Sequence, residues 1–354
     1  MAELTPGTVP SISVAVVHEA AEPWVASTGL ADLRARRPAS PATAYCWFSM
    51  TKIVTATAVM QLAGLGRLDL DDAVSRYVPG LPPSRSDEPM TVSHLLGHSA
   101  GLSNPLPVRW VHPAGGPGPD PAAFLAQRLR RQRRLKGTPG ERARYSNVGF
   151  LVLGEVIATA SGQPYQAFVR DEILRPLGMS RTDFGYTPAV AGDAATGYHR
   201  RRGIGAAAME LLLPRWVLGA RVGQYRQLHR FVLDGSAYGG LIGPVEDAAR
   251  FVAAHVGGGA SGAVRLLGLE GVTAMQTRQA RGRALDVGLG WYRRHSDRPT
   301  GERYWEHLGG GAGFWTMMRV YPDRRVGLVT MGNATTYDHQ RLAAAVLEGR
   351  PASA

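Results

Sequence analysis

The chain has 354 residues, 44% of them apolar, a formal charge of +12 and a single cysteine. That length and apolar content support one large core, or two lobes sharing one, and exclude a chain held open by charge. A lone Cys46 excludes an internal disulfide and any multi-cysteine metal site, and reads as a small buried hydrophobe.

No run approaches the roughly 18 consecutive apolar residues of a membrane span; the longest, such as Ile12 to Val17, are strand-sized. The first residues, Met-Ala-Glu-Leu-Thr-Pro-Gly, have no positive region followed by an apolar one, so a cytoplasmic location is expected. The pI near 10.3 invites a nucleic-acid partner. The composition argues against it: Lys52 and Lys136 are the only lysines, arginine supplies the remaining basic charge, and the densest basic run, Arg128 to Lys136, has no interleaved aromatics for base stacking. A solvated helix face or loop is the expectation there.

In chain order, residues 11–17 and 22–28 read as a β-hairpin. Ser49 to Ala63 is apolar or small nearly all round, the pattern of a helix buried on every side. Gly101 to Pro121 reads as a loop; helices are expected over 121–134, 147–161 and 164–174, and a second loop over Thr182 to Gly205. The segment Ala206 to Leu233 is read as a packed helical insertion, with a substrate lid or an interfacial patch as the alternatives. Three strands come next, Tyr304 to Leu308, Phe314 to Tyr321 and Val326 to Met331, with Tyr321-Pro-Asp-Arg as the turn between the last two, and a helix from Asp338 to Glu348 closes the chain. Strands at both ends must meet in one sheet, and short strands on tight turns favour antiparallel pairing. The class is therefore α/β in the α+β sense: residues 1–48 and 240–354 form a sheet lobe, and 49–239 an inserted, mainly helical lobe.

Ser49-Met50-Thr51-Lys52 is an S-x-x-K tetrad. On a helix, positions i and i+3 share a face, so the Lys52 amine can reach the Ser49 hydroxyl. Burial disfavours an ammonium, making this lysine a candidate proton acceptor; a surface lysine beside a capping serine is the plainer reading. Tyr145-Ser146-Asn147 stands at a loop-to-helix junction, where a staple and a cap would serve equally. His307-Leu-Gly-Gly-Gly ends a predicted edge strand whose free N–H groups could bind an oxyanion, or it is a glycine-rich turn. Gly97-His98-Ser99-Ala100-Gly101 fits the G-x-S-x-G elbow of α/β-hydrolases, but two prolines come after it where the helix should run, so Ser99 is not the expected nucleophile.

Together these motifs, with Gly66-Arg-Leu-Asp-Leu-Asp-Asp, the Ser93-His-Leu-Leu-Gly-His-Ser-Ala-Gly-Leu stretch, Pro176-Leu-Gly-Met-Ser-Arg-Thr, Tyr238-Gly-Gly-Leu and Val287-Gly-Leu-Gly-Trp, resemble the serine β-lactamase and penicillin-binding-protein superfamily. The class C-like branch, with its esterases, D-alanyl carboxypeptidases and acyltransferases, is the nearest match. The resemblance implies the β-lactamase/transpeptidase-like fold. It makes Ser49 the nucleophile, Lys52 its activator, Tyr145 the general base that later protonates the leaving group, and Asn147 a hydrogen-bond partner of substrate or Lys52. His307 takes the place of a lysine in the third motif, and the N–H groups of Ser49 and Gly310, beside Gly309, form the oxyanion hole. No metal or organic cofactor is required, and the partner is a small ester or amide. His307 in place of lysine, no recognisable export signal and only about ten residues ahead of the first strand favour an intracellular carboxylesterase or acyltransferase. A β-lactamase or D-alanyl carboxypeptidase-like amidase ranks below it, then a non-catalytic basic binding protein of the same fold.

Overall fold

The computed structural model describes residues 9–84, 87–201, 210–295 and 303–349. Among them a nine-stranded antiparallel sheet is built from both ends of the chain. Its strands are β1 (Ser11–His18), β2 (Trp24–Asp32), β3 (Arg37–Pro38), β4 (Ala280–Arg281), β5 (Leu285–Val287), β6 (Tyr292–Arg294), β7 (Trp305–Gly311), β8 (Phe314–Tyr321) and β9 (Val326–Gly332), in the spatial order β4-β5-β6-β7-β8-β9-β1-β2-β3. The termini meet where β1 pairs with β9, from Ile12 opposite Gly332 to His18 opposite Val326.

The central strands are apolar in runs because both faces of the sheet are covered. Ala15, Val17, Val329 and Met331 point to one side, where helix α3 (Val245–Val256) packs Ala248, Phe251 and Val252 against the sheet. Ile12, Val14 and Leu328 point to the other, into a cluster with Leu342 and Ala343 of the closing helix α4 (His339–Glu348).

Helix α1 (Thr51–Gly64) is buried from Thr51 to Met60, as its lack of a polar face predicts. It packs against α2 (Asn147–Ser161), whose first turn is capped by Ser146 Oγ accepting from Gly149 N–H and whose end is turned by Gly162 at φ 71°.

Three expectations change. The helix from Pro121 stops at Arg130 rather than 134, because continuing it would stack Arg130, Arg131, Arg133 and Arg134 on successive turns while Gln132 and Leu135 are drawn into the interior. Arg128 lies over the Trp110 and Phe124 rings, so this part of the basic run covers protein rather than reaching outward. The helix from Tyr165 changes pitch at Arg170 into a π turn ending at Leu174.

The 206–233 insertion is not the packed helix expected. Residues 206–209 lie outside the described residues, and Pro214 stops helical continuation. Beyond it Leu218–Val222 and Tyr225–Leu228 form a hairpin turned at Gly223, φ 54°, which Tyr198–Arg200 extends to three strands. Phe231–Leu233 pairs with Val111–Pro113, so both segments read as loops or helix contribute strands.

Leu328 is fully buried between β8, β1 and α4. Leu328→Ala is expected to cost about 2–5 kcal/mol through lost burial and a residual cavity, read as a lower midpoint in urea; a midpoint within error of the parent would contradict this packing.

Candidate active site

The site begins with a strained turn. Phe48–Met50 forms a single 3-10 turn that runs without a break into α1, so the i, i+3 relation of Ser49 and Lys52 survives although Ser49 precedes the α-helix proper. Phe48 holds φ 46°, a left-handed conformation unfavourable for an aromatic residue. The turn is fixed by Trp47, fully buried, whose N–H donates to Leu241 O (2.9 Å), whose indole donates to Gly243 O (3.1 Å) and whose carbonyl accepts from Thr316 Oγ1 (3.1 Å).

Lys52 is completely buried. Its Nζ lies 3.0 Å from Ser49 Oγ, 2.8 Å from Asn147 Oδ1 and 2.7 Å from the Tyr238 carbonyl, and within 4.9–5.5 Å of the ring centres of Tyr145, Tyr238 and Phe150. None of these partners is a carboxylate. Burial pulls the Lys52 amine well below its ordinary value with no charge to offset it. A neutral amine has two N–H groups, which match Asn147 Oδ1 and Tyr238 O, and one lone pair, which then faces the Ser49 hydroxyl.

The Tyr145 hydroxyl hydrogen-bonds the Ser49 side chain, and burial raises its phenol above the ordinary value, so it carries its proton. His98 stacks on Tyr145 with ring centres 4.6 Å apart and accepts the Ser146 N–H at Nδ1, 3.2 Å. Burial, then the nearby Lys52, pulls His98 down to about 3, so it is neutral. Asn147 opens α2, and its own N–H donates to Asn104 Oδ1 (2.9 Å).

His307 is fully buried and neutral for the same two reasons, burial first and Lys52 second. Its Nδ1 contacts Leu308 O at 2.9 Å and therefore carries the hydrogen. The strand it belongs to is an edge only locally. β7 lies inside the sheet, but β6 pairs with it at Glu306 alone, leaving the rest of that side open. The Leu308 N–H points to this open side, where it donates to Tyr292 Oη (3.0 Å). Because strand N–H groups alternate, Gly310 N–H points the same way, and Gly309 N–H points to β8. A Cβ on Gly309 would stand 2.0 Å from the Trp47 carbonyl, so only glycine lets β7 approach the Phe48–Met50 turn this closely.

These residues border a cavity of about 480 Å³. Ser49, Tyr145, Asn147 and Gly310 are on its wall; Leu106, Val108, Leu213, Val217, Phe231 and Leu233 make much of the remainder, and among the described residues no Lys, Arg, His, Asp or Glu lines it. Ser99 is elsewhere: buried, with its hydroxyl 3.4 Å from His94 O in its own turn. Among the described residues no cluster of three His, Cys, Asp or Glu could hold a metal, and no helix is long and apolar enough to cross a membrane.

Ser49, Lys52, Tyr145, Asn147 and Gly310 thus converge, with Gly309 setting the approach and His307 just behind. Sequence reasoning did not single out His98, Asn104 or the Tyr238 carbonyl. The last had a partial signal: a buried lysine with no acid in reach needs carbonyl acceptors, and Tyr238-Gly-Gly leaves backbone accessible.

The beta-lactamase family model matches residues 3–350. The D-alanyl-D-alanine-carboxypeptidase/endopeptidase AmpH of Escherichia coli (strain K12) is 33% identical over 148 residues, 40% of this chain and 36% of that protein. The protein flp of Staphylococcus aureus (strain MW2) is 30% identical over 204 residues, 55% of this chain and 39% of that one. The matched part of this chain spans less than two-fifths of these curated relatives. In structure, an octameric penicillin-binding protein homologue from Pyrococcus abyssi superposes with a TM-score of 0.74 at 25% identity, covering 99% of this chain and 75% of that one. The antiparallel sheet with flanking helices is the fold they share, and the chain belongs to the beta-lactamase family.

Proposed function

We propose that the protein is a serine hydrolase that forms an acyl-enzyme on Ser49 and acts as a carboxylesterase, or as an acyltransferase where an alcohol or amine replaces water. The observation that carries this is the fully buried Lys52 amine, with no carboxylate among its partners, 3.0 Å from a hydroxyl on a cavity wall.

In this reading Ser49 Oγ attacks the substrate carbonyl carbon while its proton passes to the Lys52 lone pair. The carbonyl oxygen, now anionic, receives N–H groups from Ser49 and Gly310, each contributing on the order of a hundredfold in rate. As the tetrahedral adduct collapses and its bond to the leaving oxygen breaks, that oxygen takes the Tyr145 proton, and the resulting phenolate is reprotonated by the Lys52 ammonium, which returns both groups to their resting state. Water then attacks the acyl carbon and returns Ser49. The family resemblance makes Tyr145 the initial base; a phenol held protonated by burial acts first as donor, so the first proton transfer falls to Lys52.

The cavity wall supports a neutral apolar acyl group. A penicillin or a peptide C-terminus carries a carboxylate, and among the described residues no cationic side chain lines the cavity to meet it, with His307 buried behind the wall and its imidazole pulled well below the ordinary value by burial. The likeness to AmpH, named as a carboxypeptidase/endopeptidase, supports an amidase as the second reading.

Two measurements test this. Ser49→Ala should lose more than about 10³-fold in turnover of a short-chain aryl ester and all labelling by a fluorophosphonate in intact-mass analysis, while Ser99→Ala keeps both; the reverse pattern, or no adduct on the parent protein, defeats the proposal. The active form has Lys52 unprotonated, so kcat/KM should fall as pH drops through that depressed value. Because His98 titrates only near 3, the acid limb above that belongs to Lys52. Lys52→Arg, charged throughout, should be inactive across the range. An acid limb near 10.5, the ordinary lysine value, would remove Lys52 as the base.

A further inference from the structure

Seven large apolar side chains stand well exposed among the described residues, and four lie on the two segments that contribute to the cavity wall: Leu106 at 67%, Leu211 at 82%, Leu212 at 44% and Trp216 at 39%. Leu106 itself lines the cavity. The other three belong to one segment whose alternate residues, Leu213 and Val217, turn inward to line it. Single exposed hydrophobes are ordinary; four on the segments that wall one apolar cavity are more than scatter.

Three arginines flank these segments, and the acids beside them, Glu210 and Asp234, are each engaged, Asp234 by His112 at 2.7 Å. Arg109 adjoins Val108 of the wall, Arg215 stands between Leu213 and Val217, and Arg221 comes next on the same hairpin, all exposed. The acid of this segment, Glu210, is engaged by Arg226 at 3.3 Å and Arg201 at 3.8 Å. Leucines and an amphipathic indole ringed by arginines match an anionic lipid surface, where apolar tips enter the headgroup boundary and each arginine adds about fivefold in partitioning.

We propose that this rim seats on an anionic lipid surface and that the substrate of Ser49 is an amphiphilic ester drawn from it into the cavity. The second half rests on the hydrolase reading above; the first does not. The rim is continuous with the acyl cavity, so a chain leaving the lipid would pass from one apolar surface to the next without crossing water.

The test uses the full chain with vesicles of phosphatidylglycerol and phosphatidylcholine, against vesicles of phosphatidylcholine alone. Expected are at least tenfold tighter sedimentation with the anionic vesicles, lost at 0.5 M salt, and a tenfold loss in the Leu211→Ser/Trp216→Ser double variant. That variant should turn over a water-soluble acetyl ester within twofold of the parent, while its rate on a long-chain ester held in the anionic vesicles falls at least tenfold. Equal binding to both vesicle types, unchanged binding by the variant, or displacement by a DNA duplex at the same salt would overturn the proposal. If the soluble ester is cleaved and vesicles are ignored, the rim alone fails. If vesicles bind and no ester is cleaved, the hydrolase reading fails and, with it, the substrate assignment.

Discussion

A lysine amine removed entirely from water, with three neutral hydrogen-bond partners and no carboxylate among them, is the constraint around which this protein is arranged. An ammonium in that position would be unpaired in an apolar surrounding, at a cost of several kcal/mol even after relaxation. The amine is therefore neutral, and its lone pair must be given a hydrogen. That requirement explains its surroundings. Helix α1 is apolar on every side because it is wrapped by α2, the sheet and the Ser236–Tyr238 turn, and that wrapping is what dries Lys52. Asn147 is placed by the capped start of α2, and the Tyr238 carbonyl by the turn before Gly239.

Much of this is legible in residue order. The all-round apolar run at Ser49 to Ala63 announces a buried helix, and the tetrad spacing announces the contact between its serine and lysine. The strands at the two chain ends can pair only with one another. The features that escape have identifiable physical causes. The Tyr238 contribution is a backbone carbonyl, and side-chain patterns carry no record of which carbonyls face a cavity. His98 sits inside a motif resembling an elbow, and its actual position against Tyr145 depends on a left-handed residue, φ 54°, that histidine seldom adopts. The insertion misleads because Met-Glu-Leu-Leu-Leu favours a helix locally, whereas Pro214 ends it and the Gly223 turn folds residues 218–228 into strands beside the cavity.

The sheet and the turn that carries Ser49 are tied by one close approach. Trp47 anchors the strained turn at Phe48 to β8 and to the Ile242–Pro244 strand, and Gly309 lets β7 lie against the Trp47 carbonyl. The strain at Phe48 is held by those bonds rather than by the turn's own preference. It fixes where the Ser49 and Gly310 N–H groups stand relative to one another, and in the proposed reaction donors preorganised in this way would not have to be reoriented.

The same burial serves two opposite ends in the proposed reaction. At rest it keeps Lys52 unprotonated and able to accept. Once the Ser49 proton has moved, the site holds an ammonium and a nearby oxyanion, two opposite charges in a medium far less polarisable than water, where their attraction is several times what it would be at the surface. The environment that penalises the lone ammonium thus stabilises the pair. A lining without formal charge among the described residues leaves this attraction unscreened by fixed charges there. The +12 charge of the chain can therefore reside on the outside, where it influences what approaches, without entering the chemistry at Ser49.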